Sequence, residues 1–180
     1  PTDYCGVTYL YSEHRPTANL APPPLKDRAV TDLQEVVFPA WWQLPIYAWS
    51  FDNASLTRKK EQIGAEEVRF LSLSATGQDW FGHHFLSPTC EVPASGKYAI
   101  FIETVKGPAQ AKVQLFQDEN PVGEPVDLYA EKPAKSERLL LGELNLVEGK
   151  NNLMFKLVGK NEKSGGLGLD LVQVICVRGR

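Results

Sequence analysis

The chain reads as an all-β protein, a two-sheet antiparallel β-sandwich of the jelly-roll type. Three observations predict it. From Glu66 onward, short apolar runs alternate with turn signals rich in Gly, Pro and Asn, the pattern of a sandwich or barrel. Within those runs the large apolar residues fall at every second position: Tyr98, Ile100 and Ile102 in KYAIFIETV, and Leu153, Phe155 and Leu157 in NNLMFKLV. Successive residues of a strand point to opposite faces, so each such row needs a second sheet to bury it. No apolar stripe of helical period and normal length competes. Helix content is therefore expected below about a tenth, against a globular average near a third.

Residues 1–16 hold a β-rich run, Val7 to Tyr11, with aromatics at alternate positions. Pro22, Pro23 and Pro24 follow. Three prolines cannot join a sheet ladder and favour an extended spacer. Residues 1–25 are thus expected to be a strand and Pro-rich strap from an upstream domain, with the sandwich spanning 26–180. In VVFPAWWQLPIYAWSF the prolines at 39 and 45 leave room for two short strands, Glu35–Phe38 and Ile46–Phe51. LTRKKEQIGAEE reads as a helical turn without a sustained apolar face. Nine candidate strands then follow: EEVRFLSL, DWFGHHFL, TCEV, KYAIFIETV, AKVQLFQ, PVDLY, RLLLGELNLV, NNLMFKLV and LGLDLVQVICV. The turns between them include DENPVGE, EKPAKS and GKNEKSGG.

Composition removes several classes of function. The chain has 180 residues, which suits one domain with an extra segment. A formal net charge of -3, with Lys and Arg scattered among Asp and Glu, lacks the basic stripe of a nucleic-acid binder. The densest basic cluster, Arg58-Lys59-Lys60, meets Glu61 at once and reads as a solvated turn. No apolar run is long enough for a membrane helix, so neither nucleic acid nor membrane is an expected partner. The first residue is Pro1, and the chain is expected to be a processed product or part of a longer protein.

Motifs for catalysis are lacking. There is no G-x-S-x-G elbow, and the carboxylates, Glu66-Glu67 and Asp79 among them, show no pairing that spacing alone would reveal. His83 and His84 are neighbours, which a strand would point apart, and His14 is remote. Zinc needs three or four convergent ligands, so no metal site is expected. GKNEKSGG lacks the phosphate-loop order and the helix that follows it. Asn161 and Asp170 offer oxygens that would suit a structural calcium, but capping nearby backbone is the commoner use of such residues; no cofactor is expected. Of the three cysteines, Cys5, Cys90 and Cys176, none forms a C-x-x-C pair. A buried free thiol is the ordinary state. A Cys90–Cys176 bridge is the alternative, since the first and last strands of a jelly roll often pair.

The aromatic residues Trp41, Trp42, Tyr47, Trp49 and Trp80 cluster in one half of the chain. Flat rings with polar rims suit stacking on sugar rings; core packing is their other use. Alternation through DWFGHHFL puts Trp80, Gly82 and His84 on one face and Phe81, His83 and Phe85 on the other. The face with two Phe is expected to turn inward, which leaves Trp80 and His84 outward. The expected glycan contacts are therefore Trp80 with His84 or His83, joined by Trp41, Trp42 or Trp49.

One resemblance bears on function. The chain carries Gly96-Lys97-Tyr98, Asp127-Leu128-Tyr129, Leu141-Gly142, Gly149, Gly159-Lys160-Asn161 and Gly168-Leu169-Asp170 in order. That series resembles the jelly-roll module that follows the catalytic domain in a family of glycoside hydrolases acting on fructofuranosides and arabinofuranosides. DYCGVTYLYSEHRP is similar to the closing strand of that catalytic domain. The resemblance implies a non-catalytic, carbohydrate-binding-like accessory domain of a secreted or periplasmic bacterial enzyme. Its partner would be a glycan or the upstream catalytic domain. The alternative is a structural or oligomerisation module that buttresses the catalytic domain without a ligand. The catalytic glutamates of that family belong to the upstream domain, so no catalytic residue carries over. Asp127, Tyr129, Asn161 and Asp170 take structural roles in this reading.

Overall fold

A computed structural model describes residues 35–50, 52–76 and 83–179, and every strand below lies within them. In chain order the strands are β1 (Glu35–Pro39), β2 (Ile46–Trp49), β3 (Ala54–Ile63), β4 (Glu66–Ala75), β5 (Phe85–Val92), β6 (Gly96–Lys106), β7 (Ala111–Gln117), β8 (Asn120–Asp127), β9 (Ala134–Lys135), β10 (Leu139–Leu146), β11 (Gly149–Asn152), β12 (Met154–Lys160) and β13 (Leu167–Arg178). No helix occurs among the described residues. The expected strap over 1–25 lies outside the described residues.

Two sheets form. One runs β10-β6-β13-β4-β3, with β1 added to β13 and β9 to β6; the other runs β11-β5-β12-β7-β8, with β2 added to β5. Every pairing between these strands is antiparallel. The all-β two-sheet sandwich that the period-two rows predict is the fold observed. Tyr98, Ile100 and Ile102 from β6 pack with Phe155 and Leu157 from β12, and all are fully buried. Burying a large apolar side chain is worth roughly 1.5–3 kcal/mol, so these facing rows help to hold the sheets together.

Three expectations about elements need correction. LTRKKEQIGAEE is no helical turn: it is the β3–β4 hairpin, in register from Ala54↔Ala75 to Ile63↔Glu66. Gly64, with φ +62°, takes the first central position of its two-residue turn, where a type II′ turn demands glycine. NPVGE is strand rather than turn. The β7–β8 connection shrinks to Asp118 and Glu119, both left-handed with φ of 48° and 67°, the geometry of a tight type I′ hairpin. Of the expected strand DWFGHHFL, residues 79–82 lie outside the described residues, and neither His83 nor His84 is in a strand. β5 begins at Phe85 and continues through Pro88 into TCEV, with His83 in a turn before it.

The ends of the sandwich are tied by polar side chains. Asp127 closes β8: its Oδ1 accepts from the Tyr129 N–H at 2.9 Å and its Oδ2 from Asn161 Nδ2 at 2.8 Å. Asp170, half-buried on β13, accepts from Gln110 Nε2 at 2.7 Å. Asn161 and Asp170 thus serve separate partners. Tyr129 is only partly buried. At the edge of the larger sheet, Arg138 donates twice to the Glu35 carboxylate, at 2.7 and 2.8 Å, a fork that pins β1 across the sheet.

Candidate functional site

The link between β1 and β2 carries the chain from one sheet to the other, because β1 pairs with β13 and β2 with β5. It turns tightly: Gln43 N–H donates to the Pro39 carbonyl at 3.0 Å, with Ala40 and Leu44 buried as its anchors. The two residues between those anchors that carry large rings, Trp41 and Trp42, are thereby pushed outward. Trp41 is half-buried and meets Trp42 edge-on, with ring centres 5.9 Å apart and planes at 77°. Trp42 is 69% exposed.

The β3–β4 hairpin props this turn. Its ten-residue strands outrun the sheet, since β13 pairs only with Leu71 to Ala75 of β4. Arg58, opposite Leu71 where the covered portion ends, donates through Nε to the Trp41 carbonyl at 3.1 Å. The Arg69 guanidinium stands 5.6 Å from the Trp42 ring centre, within cation–π range. Arg69 also donates to Glu67 Oε1 at 3.1 Å, and Lys60 lies 3.9 Å from the same carboxylate. The result is a solvent-facing indole held by a second indole and a guanidinium, rimmed by charged hydrogen-bonding groups. An arrangement of this kind can stack on the apolar face of a sugar ring and bond its hydroxyls.

The other expected contacts separate. Trp80 lies outside the described residues. Trp49 packs against the core: a bulge between Ile46 and Ala48 puts both Ile46 and Trp49 inward opposite Pro88 and Leu86. The bulge leaves Tyr47 70% exposed. His84 is not outward. It is 3% exposed, while His83 is exposed, the reverse of the alternation expected, because both residues precede the strand. His84 Nδ1 lies 3.4 Å from Ser50 Oγ, and its Nε2 is buried with no partner. Burial pushes the His84 pKa down; His83 adds to the shift and Asp52 opposes it. Of the expected residues that are described, Trp41 and Trp42 are brought together on the surface.

Sequence alone does not point to Arg69 or Lys60. Arg69 was hidden because the hairpin was not recognised. Tyr47, one of the clustered aromatics, lies elsewhere on the surface. It borders a notch of about 370 Å³ lined by Phe116, Asn152 and Met154 of the smaller sheet and by Leu144 and Leu146 of β10. Asn152 Oδ1 accepts from Thr89, and Lys156 sits 4.6 Å over the Phe116 ring. Among the described residues no group of three His, Cys, Asp or Glu is placed to hold a metal ion.

A family model described as a domain of unknown function (DUF8441) matches residues 88–176. No curated protein matches the chain. Among solved structures, a Paenibacillus xanthan lyase aligns over 79% of this chain with a TM-score of 0.65 and 19% identity. The chain spans only 13% of that lyase's length. A Podospora anserina β-(1,4)-mannanase carrying a family 35 carbohydrate-binding module aligns over 81% of this chain and 28% of its own, at TM-score 0.49 and 10% identity. The family 35 module of Cellvibrio japonicus Abf62 aligns over 81% of this chain and 94% of its own, at TM-score 0.46 and 13% identity. The likeness to the lyase domain speaks to the sandwich fold.

Proposed function

We propose that this sandwich is a non-catalytic carbohydrate-binding accessory domain, and that it grips a glycan on the Trp42 ring. The observation that carries the reading is Trp42 itself. An indole 69% exposed forgoes the burial that usually recruits tryptophan, yet this one is braced by Trp41 and Arg69. A braced ring loses little entropy when a ligand stacks on it, which favours binding. Arg69, Glu67 and Lys60 supply donors and acceptors for hydroxyl groups at the ring's edge.

The parent protein in this reading is a secreted or periplasmic carbohydrate-active enzyme whose catalytic domain lies upstream. The motif series shared with furanoside-acting glycoside hydrolases supports that placement. So does the fold's occurrence as a small part of a xanthan lyase. Fructans, arabinans and xanthan are accordingly the first glycans to try. One stacked ring with one or two hydrogen bonds gives micromolar to millimolar affinity, on the order of 4–8 kcal/mol.

Affinity gel electrophoresis of the whole chain in those polysaccharides tests the reading. Retardation in at least one gel, lost in Trp42→Ala, is the expected result. Equal migration in every gel refutes it and leaves a buttressing role for the domain; retardation that survives the substitution refutes Trp42 as the contact.

A further inference from the structure

The second conclusion concerns the middle of the core and does not depend on glycan binding. Cys90 lies on β5 and Cys176 on β13, strands of opposite sheets. Both side chains point into the same core cluster, and neither is exposed to solvent. Both thiols are free, and they are hydrogen-bonded to each other. They are not on paired strands, as an alignment of first and last strands would have it; they meet across the sandwich. Nothing in the packing calls for sulfur at either position: Val92 follows Cys90 in its buried row, and Val174 precedes Cys176 in its own.

We propose that Cys90 and Cys176 are a disulfide-forming pair that bolts the two sheets together when the chain folds under oxidising conditions. The oxidant is a small-molecule disulfide such as oxidised glutathione. A thiolate of the pair attacks it and releases one small thiol. The second cysteine then attacks the mixed disulfide and releases the other. Two S–H bonds are lost and one S–S bond is made; the two protons and two electrons leave with the small thiols. The bond draws the sulfurs from hydrogen-bond contact to about 2.05 Å, a shift the two strands must absorb.

The site governs when this happens. The hydrogen bond with Cys176 pushes the Cys90 thiol far above its usual range, and burial adds to it. Thiolate is the attacking species, so the folded, reduced domain reacts slowly. Exchange belongs to folding, before the core closes. Once formed, the bond is as buried as the thiols were, and the same packing keeps reductants out. It closes a loop from 90 to 176, nearly half the chain, and long loops give the larger stabilisation in the chain-entropy account.

The test is refolding of the full chain from denaturant in a glutathione redox buffer, against refolding in excess reductant. The oxidised sample should show one titratable thiol under denaturing conditions, a Cys90–Cys176 peptide in a non-reduced digest, and a melting temperature higher by on the order of 10 °C. Cys90→Ala, which keeps the site apolar, should remove the cross-link and the gain together. Adding the same buffer to the folded, reduced protein should give the bridge far more slowly. Three titratable thiols after oxidative refolding, a bridge that runs to Cys5, or a bridge that lowers the melting temperature overturns the proposal.

Discussion

Gly123 on β8 and Gly142 on β10 meet where the edges of the two sheets close on one another. A Cβ on Gly123 would stand 2.1 Å from the Leu141 carbonyl oxygen and 3.3 Å from Gly142 Cα; one on Gly142 would stand 2.8 Å from Val122 Cγ1. Gly123 also holds φ at +68°, a left-handed conformation that a side chain disfavours. Two backbones touch here because neither residue has a side chain. Gly123→Ala should therefore cost roughly 2–4 kcal/mol, the sum of strain and forced separation. Gly149→Ala, left-handed but with open space around its Cβ position, should cost less. Urea unfolding of the two variants compares them directly.

The two kinds of tryptophan should behave differently on truncation. Trp42→Ala removes an exposed ring and one cation–π contact, so it should change stability by about 1 kcal/mol or less. Trp49→Ala opens space against the core and should cost roughly 3 kcal/mol. Thermal melts of both variants, run beside the affinity gels, separate a lost contact from a lost fold.

His84 makes the domain acid-sensitive. Its pKa in the folded protein lies below the ordinary value of 6.5, chiefly because burial penalises the cation. Above that value the ring is neutral in both folded and unfolded chains. As pH falls through it, the unfolded chain takes up the proton first, so stability declines from about pH 6.5 downward until the folded ring also protonates. His84→Phe should flatten that part of the profile. Melting temperatures measured between about pH 7.5 and 5 would show it; parallel slopes for the variant and the parent would assign the effect to other groups.

The Asn161–Asp127 contact should be worth about 1–2 kcal/mol at neutral pH, as a partly exposed hydrogen bond to a charge. Burial alone would raise the Asp127 pKa. The bonds from Asn161 and the Tyr129 N–H, with Lys112 and Lys106 nearby, outweigh it and hold the carboxyl below its usual range. The stability it adds is complete above about pH 4 and fades as pH falls through the folded value. The cost of Asn161→Ala should shrink over the same range, which denaturant titrations at neutral and acid pH can follow.

Much of the fold was legible because burial on one face writes a period of two into the sequence. β7 was read to its bounds, and β6, β10 and β13 to within one or two residues, as each presents a row to the core. The hairpin at 54–75 was misread where it outruns the sheet. With Thr57 to Gln62 exposed on both faces, no alternation survives to mark them as strand. β8 was misread for a related reason: it is an edge strand, mostly exposed, and its turn uses Asp118 and Glu119 where a glycine would have announced it. At the site, exposure of Trp42 was within reach of the sequence. Which of the neighbouring histidines faces the core was not, because alternation says nothing before a strand begins. The bulge that turns Trp49 inward left no mark either.

The projecting hairpin also bears on how these molecules meet each other. β3 is the outermost strand of its sheet, and a bare strand edge invites a second molecule to add its own strand and a third to follow. Along it run Arg58, Lys59, Lys60 and Glu61, exposed side by side. Because neighbours on a strand point to opposite faces, this short run puts charge on both faces of the rim. An incoming copy would have to lay the same cations against these. The edge is thus guarded against stacking into filaments.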